Sequence, residues 1–83
     1  MEWESAGIVR ASQHRQNILR TLKVSVATPK DLSIKLKLHL SQVTRSLREM
    51  EKLGLVECKT PALRKGRIYA ITKKGVEALS RVP

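Results

Sequence analysis

The chain has 83 residues, enough for one domain, and its 41% hydrophobic content includes no phenylalanine, one tryptophan and one tyrosine, which calls for an aliphatic core. Seventeen lysines and arginines against seven acids give a formal charge of +10, and because Glu2 and Glu4 precede every base, the stretch from residue 10 onward carries +12. That balance points to an anionic partner, and a lone Cys58, the lack of a charged-then-apolar leader and the lack of any roughly 20-residue apolar run argue against an internal disulfide, secretion and a membrane span, and for a cytoplasmic protein.

Residues 1–11, with Trp3, Ile8 and Val9, read as an N-terminal arm that is ordered only where it docks. Ser12 is a good N-cap, and behind it Ile18, Leu19 and Leu22 share one face while His14, Arg15, Gln16 and Arg20 are polar, so residues 13–23 are expected to be helical. The β-branched alternation of residues 24–27 suggests a very short strand. Thr28-Pro29-Lys30-Asp31 is then a strong helix start, with threonine as cap, proline in the first turn and an aspartate placed to reach back to the cap.

Residues 32–40 alternate apolar and polar with a period of two, the mark of a strand. The helix start outweighs it: Leu32 and Leu36 form a core pair one turn apart, residues 37–40 serve as a turn, and Ile34 is left facing outward. Lys37 falls in that turn. Ser41 is the expected next N-cap, with Leu40 before it as a staple, and Val43, Leu47 and Met50 mark the core side of a helix over residues 42–53 that ends at Gly54.

Residues 55–59 and 67–71 alternate like strands around a loop rich in proline, glycine and charge, which predicts a hairpin. Thr72 caps a last helix over residues 73–80, with Val76 and Leu79 as its core residues and Gly75 as a tolerated weakness; residues 81–83 form a tail. Helix, short strand, helix, tight turn, helix, hairpin and helix at this length make an α+β, mainly α, winged helix-turn-helix domain over residues 12–80.

The residues that carry this pattern are Arg10-Ala11-Ser12 with Arg15, Thr28-Pro29-x-Asp31-Leu32, Leu40-Ser41-x-Val43-x-Arg45-x-Leu47-x-x-Met50-x-x-Leu53-Gly54-Leu55-Val56, and Gly66-Arg67-x-Tyr69-x-Ile71-Thr72-x-x-Gly75. From Ile8 to Leu79 the chain resembles archaeal-type winged-helix transcriptional regulators of the broad MarR/ArsR-like group. The resemblance implies a double-stranded DNA partner, with the wing reaching phosphates or the adjacent minor groove.

Helical geometry selects the same surface independently. At 100° per residue, the face opposite Val43, Leu47 and Met50 holds Ser41, Arg45, Arg48 and Lys52, flanked by Gln42, Thr44 and Glu49. A major groove about 12 Å wide admits one helix, whose N-terminal residues come closest to the bases. Arginine can donate twice to guanine, glutamine can pair with adenine, and a threonine methyl can touch a thymine methyl, so Gln42, Thr44, Arg45 and Arg48 are the candidate base readers. Ser41 is committed to the cap, at a helix N-terminus able to receive a phosphate. The alternative for the arginines is a solvated face, with Arg45 paired to Glu49 and Arg48 to Glu51.

Arg64, Lys65 and Arg67, in or beside the expected wing loop of residues 60–67, are candidate backbone contacts, and Arg10, Arg15, Lys30 and Lys37 are further candidates for phosphates. Scattered His14, His39 and Cys58 offer neither a catalytic set nor a metal cluster, so no enzyme activity, cofactor, metal or small-molecule ligand is expected. Cys58 reads as a partly buried strand residue. Drug-sensing MarR relatives use long terminal dimerisation helices, for which this sequence leaves little room after residue 80. A homodimer is still favoured, through the arm, the first helix or the last, because it would set two reading helices on adjacent half-sites. Two other readings stay open: a winged-helix adaptor for protein contacts, and an architectural DNA-binding protein with little sequence preference.

Overall fold

The computed structural model describes residues 13–81; the expected arm, Arg10, the Ser12 cap and residues 82–83 lie outside them. The order is α1 (Gln13–Val24), α2 (Pro29–Leu36), α3 (Leu40–Lys52), β1 (Val56–Cys58), β2 (Tyr69–Ile71) and α4 (Lys73–Ser80). Ile18, Leu19 and Leu22 of α1 point into the core as the periodicity requires. Gln16, read from the sequence as surface, is buried as well, because it lies one turn before Leu19 on the same side.

No strand forms over residues 24–27. Val24 completes α1, the Ser25 amide still donates to the Thr21 carbonyl, and only Ala27 bridges to the sheet, exchanging both backbone hydrogen bonds with Tyr69. The cap at Thr28 follows immediately, so there is no length for a ladder. That cap is as expected: the Asp31 amide donates to Thr28 Oγ1 and the Thr28 amide to Asp31 Oδ2, with Pro29 in the first turn.

The period-two stretch resolves as helix, then turn. Leu32 is fully buried, Leu36 and Leu38 pack against the core, and Ile34 is 68% exposed. The turn comprises Lys37, Leu38 and His39. Lys37 takes the left-handed conformation at φ 56°, where its amide donates to the Ser33 carbonyl, and Ser33 Oγ donates in turn to the Leu38 carbonyl at 2.7 Å. A lysine here accepts strain of about 1 kcal/mol in order to make the turn tight.

The helix that follows starts earlier than its sequence suggests. Its N-cap is His39, so Ser41 lies inside the first turn and is not the cap, and Leu40 is the first helical residue in place of a staple. The reason is local: Gln42 Oε1 accepts the His39 backbone amide at 3.3 Å, half of a capping box that fixes the start at His39. Val43, Leu47 and Met50 of α3 are buried, and Gly54 closes the helix at φ 77°.

β1 and β2 pair antiparallel, Val56 opposite Ile71, Glu57 opposite Ala70 and Cys58 opposite Tyr69, and both are shorter than their alternation suggests. Beyond them the Lys59 amide donates to the Ile68 carbonyl and the Ile68 amide to Thr60 Oγ1, so a side chain takes over from the ladder at the base of the loop. Cys58 is half-buried. Thr72 caps α4 by accepting the Gly75 amide, while its own amide and hydroxyl donate to the Leu55 and Gly54 carbonyls.

Gly75 is therefore no mere tolerated weakness. A Cβ at this position would collide with the Leu55 carbonyl oxygen and sit 2.7 Å from Ile71 Cγ1. Only glycine lets α4 lie this close to both ends of the hairpin. Ala78 and Leu79 are buried from α4, whereas Val76, expected in the core, is half-buried because Gly75 occupies the inward position. The result is three helices around an aliphatic core, with the hairpin on one side and α4 closing onto α1, the winged helix-turn-helix arrangement.

Candidate nucleic-acid interface

α3 is seated by its own apolar stripe, and this fixes which residues it turns outward. Opposite Val43, Leu47 and Met50 stand exposed Ser41, Gln42, Arg45, Arg48 and Lys52, with Thr44 half-buried at the edge. Arg45, Arg48 and Lys52 border a shallow concavity on the outer face of the helix. A second, larger one of about 680 Å³ opens between α3, the start of α2 and the wing. Arg48, Lys30, Arg64, Lys65 and Arg67 line it together, with Tyr69 in its wall.

Five of the expected cations thus converge on one open groove from three separate segments of the chain. No ion pair is found for any of them among the described residues. The expected alternative, Arg45 paired with Glu49, does not form, because Arg15 of α1 takes Glu49 instead at 2.8 Å. That bridge locks α1 to the rear of α3 and occupies a carboxylate that borders the same concavity as Arg45 and Arg48. Arg15, one of the candidates for a phosphate, has a side chain that is only 20% exposed and engaged with Glu49 inside the fold.

Other expected residues are placed differently from one another. Gln42 has its amide oxygen turned to the His39 backbone, and the Thr44 hydroxyl donates to the Leu40 carbonyl at 2.9 Å, so the oxygen of one and the proton of the other serve the helix's own start. Arg67 Nε donates to the Leu63 carbonyl and so braces the wing from within. Gly66 adopts φ 67°, a left-handed turn at the wing that favours glycine. Lys37, exposed in the turn, lines neither concavity.

Sequence reasoning missed Leu40, Thr28, Pro29 and Tyr69, all of which line the groove. Leu40 was hidden by the helix start. A search for serine, threonine, aspartate or asparagine as cap passes over His39, and the signal that identifies it is Gln42, three residues later. Thr28 and Pro29 were legible as a cap, but their place beside the wing is tertiary. Glu57 of β1 and Lys59 just beyond it form an exposed pair at 2.7 Å, apart from the groove. Among the described residues no group of three His, Cys, Asp or Glu side chains is arranged to hold a metal ion, and no helix is long and apolar enough to cross a membrane.

No protein-family model and no curated protein matches this sequence. Solved structures do match. A MarR family transcription regulator covers 93% of this chain and 52% of its own at 23% identity, with a TM-score of 0.76. Lactococcus lactis ZitR, in a structure in complex with DNA, covers 87% of this chain and 50% of its own at 20% identity and a TM-score of 0.73. A transcriptional regulator of Thermotoga maritima covers 95% of this chain and 59% of its own at 25% identity and a TM-score of 0.74. The chain thus spans between half and three-fifths of the length of these structures. They bear out the winged-helix fold, and the archaeal-type attribution of the resemblance has no counterpart among them.

Proposed function

We propose that the chain is a sequence-specific double-stranded DNA-binding transcriptional regulator that inserts α3 into the major groove and lays the wing, residues 60–67, on the backbone or in the adjacent minor groove. The observation that carries the reading is the groove in which Arg48 of α3 faces Arg64, Lys65 and Arg67 of the wing and Lys30 of α2. Cations on two projecting elements of one face fit a duplex, whose phosphates flank the major groove on both sides. The neighbour in complex with DNA supports the same reading.

In this arrangement Arg45 and Arg48 read bases, and Lys30, Arg64, Lys65 and Arg67 hold phosphates. Exposed Lys52, farther along α3, adds to the field on that side. Ser41, in the first turn, offers its hydroxyl and the helix N-terminus to a phosphate. A homodimer sets two copies of α3 on half-sites about 34 Å apart, one turn of DNA.

The test is binding across about 50 to 200 mM salt to a duplex enriched from a randomised pool and to a scrambled duplex of the same composition. The expected result is steep salt dependence on both, with the enriched duplex preferred by about a thousandfold or more. Absence of binding at low salt overturns the reading. Equal affinity for both duplexes makes the chain an architectural DNA coat and overturns the regulator.

A further inference from the structure

The first residue of α3 is a leucine left in the open. Leu40 is 51% exposed, and together with Thr44 and Arg48 it borders both the groove facing the wing and the concavity on the outer face of the helix. Residues at i, i+4 and i+8 make one ridge along a helix. This ridge is the edge along which whatever enters the groove meets α3, and Leu40 stands at its N-terminal end, the end of a recognition helix that comes closest to base edges.

The start of that ridge is apolar at Leu40, which is 51% exposed. The Thr44 hydroxyl is engaged with the Leu40 carbonyl at 2.9 Å, and the neighbouring Gln42 oxygen accepts the His39 amide at 3.3 Å. Leu40 offers methyl groups alone, and Thr44, its hydroxyl proton already donated, offers a methyl beside an oxygen that can still accept. In the major groove each base pair presents hydrogen-bond donors and acceptors, and one apolar feature, the thymine C5-methyl. A leucine pressed against a donor or acceptor removes its water and replaces nothing. Against a thymine methyl it buries apolar surface on both sides.

The geometry points to Leu40 as a specificity residue that reads the C5-methyl of one thymine in each half-site, with the Thr44 methyl beside it; this rests on the DNA-binding reading above. The arginines of the ridge and its flank then select guanine, and Leu40 selects thymine, roughly one and a half to two helical turns nearer the N-terminus.

The experiment replaces each thymine of an enriched duplex, one at a time, by deoxyuridine, which pairs identically and lacks only the methyl. Affinities are measured for wild type, Leu40→Ala and Leu40→Met. At one thymine per half-site the wild type is expected to lose about fourfold in affinity, the worth of one buried methyl-sized group. Leu40→Met keeps that loss, and Leu40→Ala binds the thymine and deoxyuridine duplexes equally. Because the leucine side chain is exposed, the alanine variant retains the wild-type melting temperature, which separates a lost contact from a lost fold. If no thymine responds, or if the loss persists in Leu40→Ala, the assignment is overturned while DNA binding stands. If the wild type binds no duplex, the regulator reading fails and this one with it.

Discussion

Arg48 and Lys65 line the same groove, but they are held in opposite ways. Arg48 projects from a helix whose far side is Val43, Leu47 and Met50, each at most 1% exposed, and whose rear is bridged to α1 by Arg15 and Glu49 at 2.8 Å. Lys65 projects from a loop in which every residue from 61 to 67 is exposed, held at its base by the Lys59–Ile68 and Thr60–Ile68 hydrogen bonds and across its tip by Arg67. Reading a base edge needs donors fixed to a fraction of an ångström, which a packed helix supplies. Following a phosphate backbone needs charge that can adjust, which a loop supplies. On the proposed reading the same residue chemistry does two jobs, and packing decides which.

This contrast is broken most severely at Leu47. Leu47→Ala leaves a cavity under the middle of α3 and is expected to cost about 2–5 kcal/mol, a large share of the stability of a chain this small. The loss is read by urea or thermal denaturation, and DNA affinity falls with it because the reading helix loses its seat. A loss below about 1 kcal/mol would mean that α3 is not anchored by this stripe.

A smaller change separates the seat of α3 from its electrostatics. Arg15→Met keeps the stem of the side chain and removes its charge, so Glu49, 45% exposed, is released to pair with Arg45 or to repel phosphate. The stability cost is about 1 kcal/mol for a pair that is part-buried at Arg15 and open to solvent at Glu49. Affinity for the enriched duplex is expected to fall, and the double variant Arg15→Met, Glu49→Gln should recover it. Failure of the second change to rescue the first would show that Arg15 acts through packing alone.

The smallest effect is at the turn that aims α3. Lys37→Gly relieves a left-handed lysine at φ 56° and is expected to stabilise the fold by about 0.5 kcal/mol, after the entropic cost of glycine is set against the strain removed. DNA affinity should not change, since Lys37 lines neither concavity. A clear loss of affinity would restore the phosphate role that its position in the sequence suggests.

Much of this was legible in the residues. The capping box at Thr28 and Asp31, the stripe of Val43, Leu47 and Met50, the glycine stop at Gly54 and the Thr72 cap are local signals, and each appears where the sequence places it. What stayed hidden depends on partners distant in sequence. Arg15 and Glu49 are 34 positions apart, the closeness of Gly75 to Leu55 arises only when α4 folds back on the hairpin, and Tyr69 reaches the groove because its strand bridges Ala27. The start of α3 was missed for a different reason: the cap is a histidine whose bond comes from Gln42 three residues on. That two-residue shift brought Leu40 to the edge of the groove.

The central claim, that α3 reads and the wing clamps, is tested most directly by comparing Arg48→Ala with Lys65→Ala on enriched and scrambled duplexes over a range of salt. Arg48→Ala is expected to lose about 1–3 kcal/mol on the enriched duplex and far less on the scrambled one, so that preference collapses. Lys65→Ala is expected to weaken both alike and to lower the salt slope by about one. Equal losses on both duplexes for Arg48→Ala, or a lost preference for Lys65→Ala, would contradict the account.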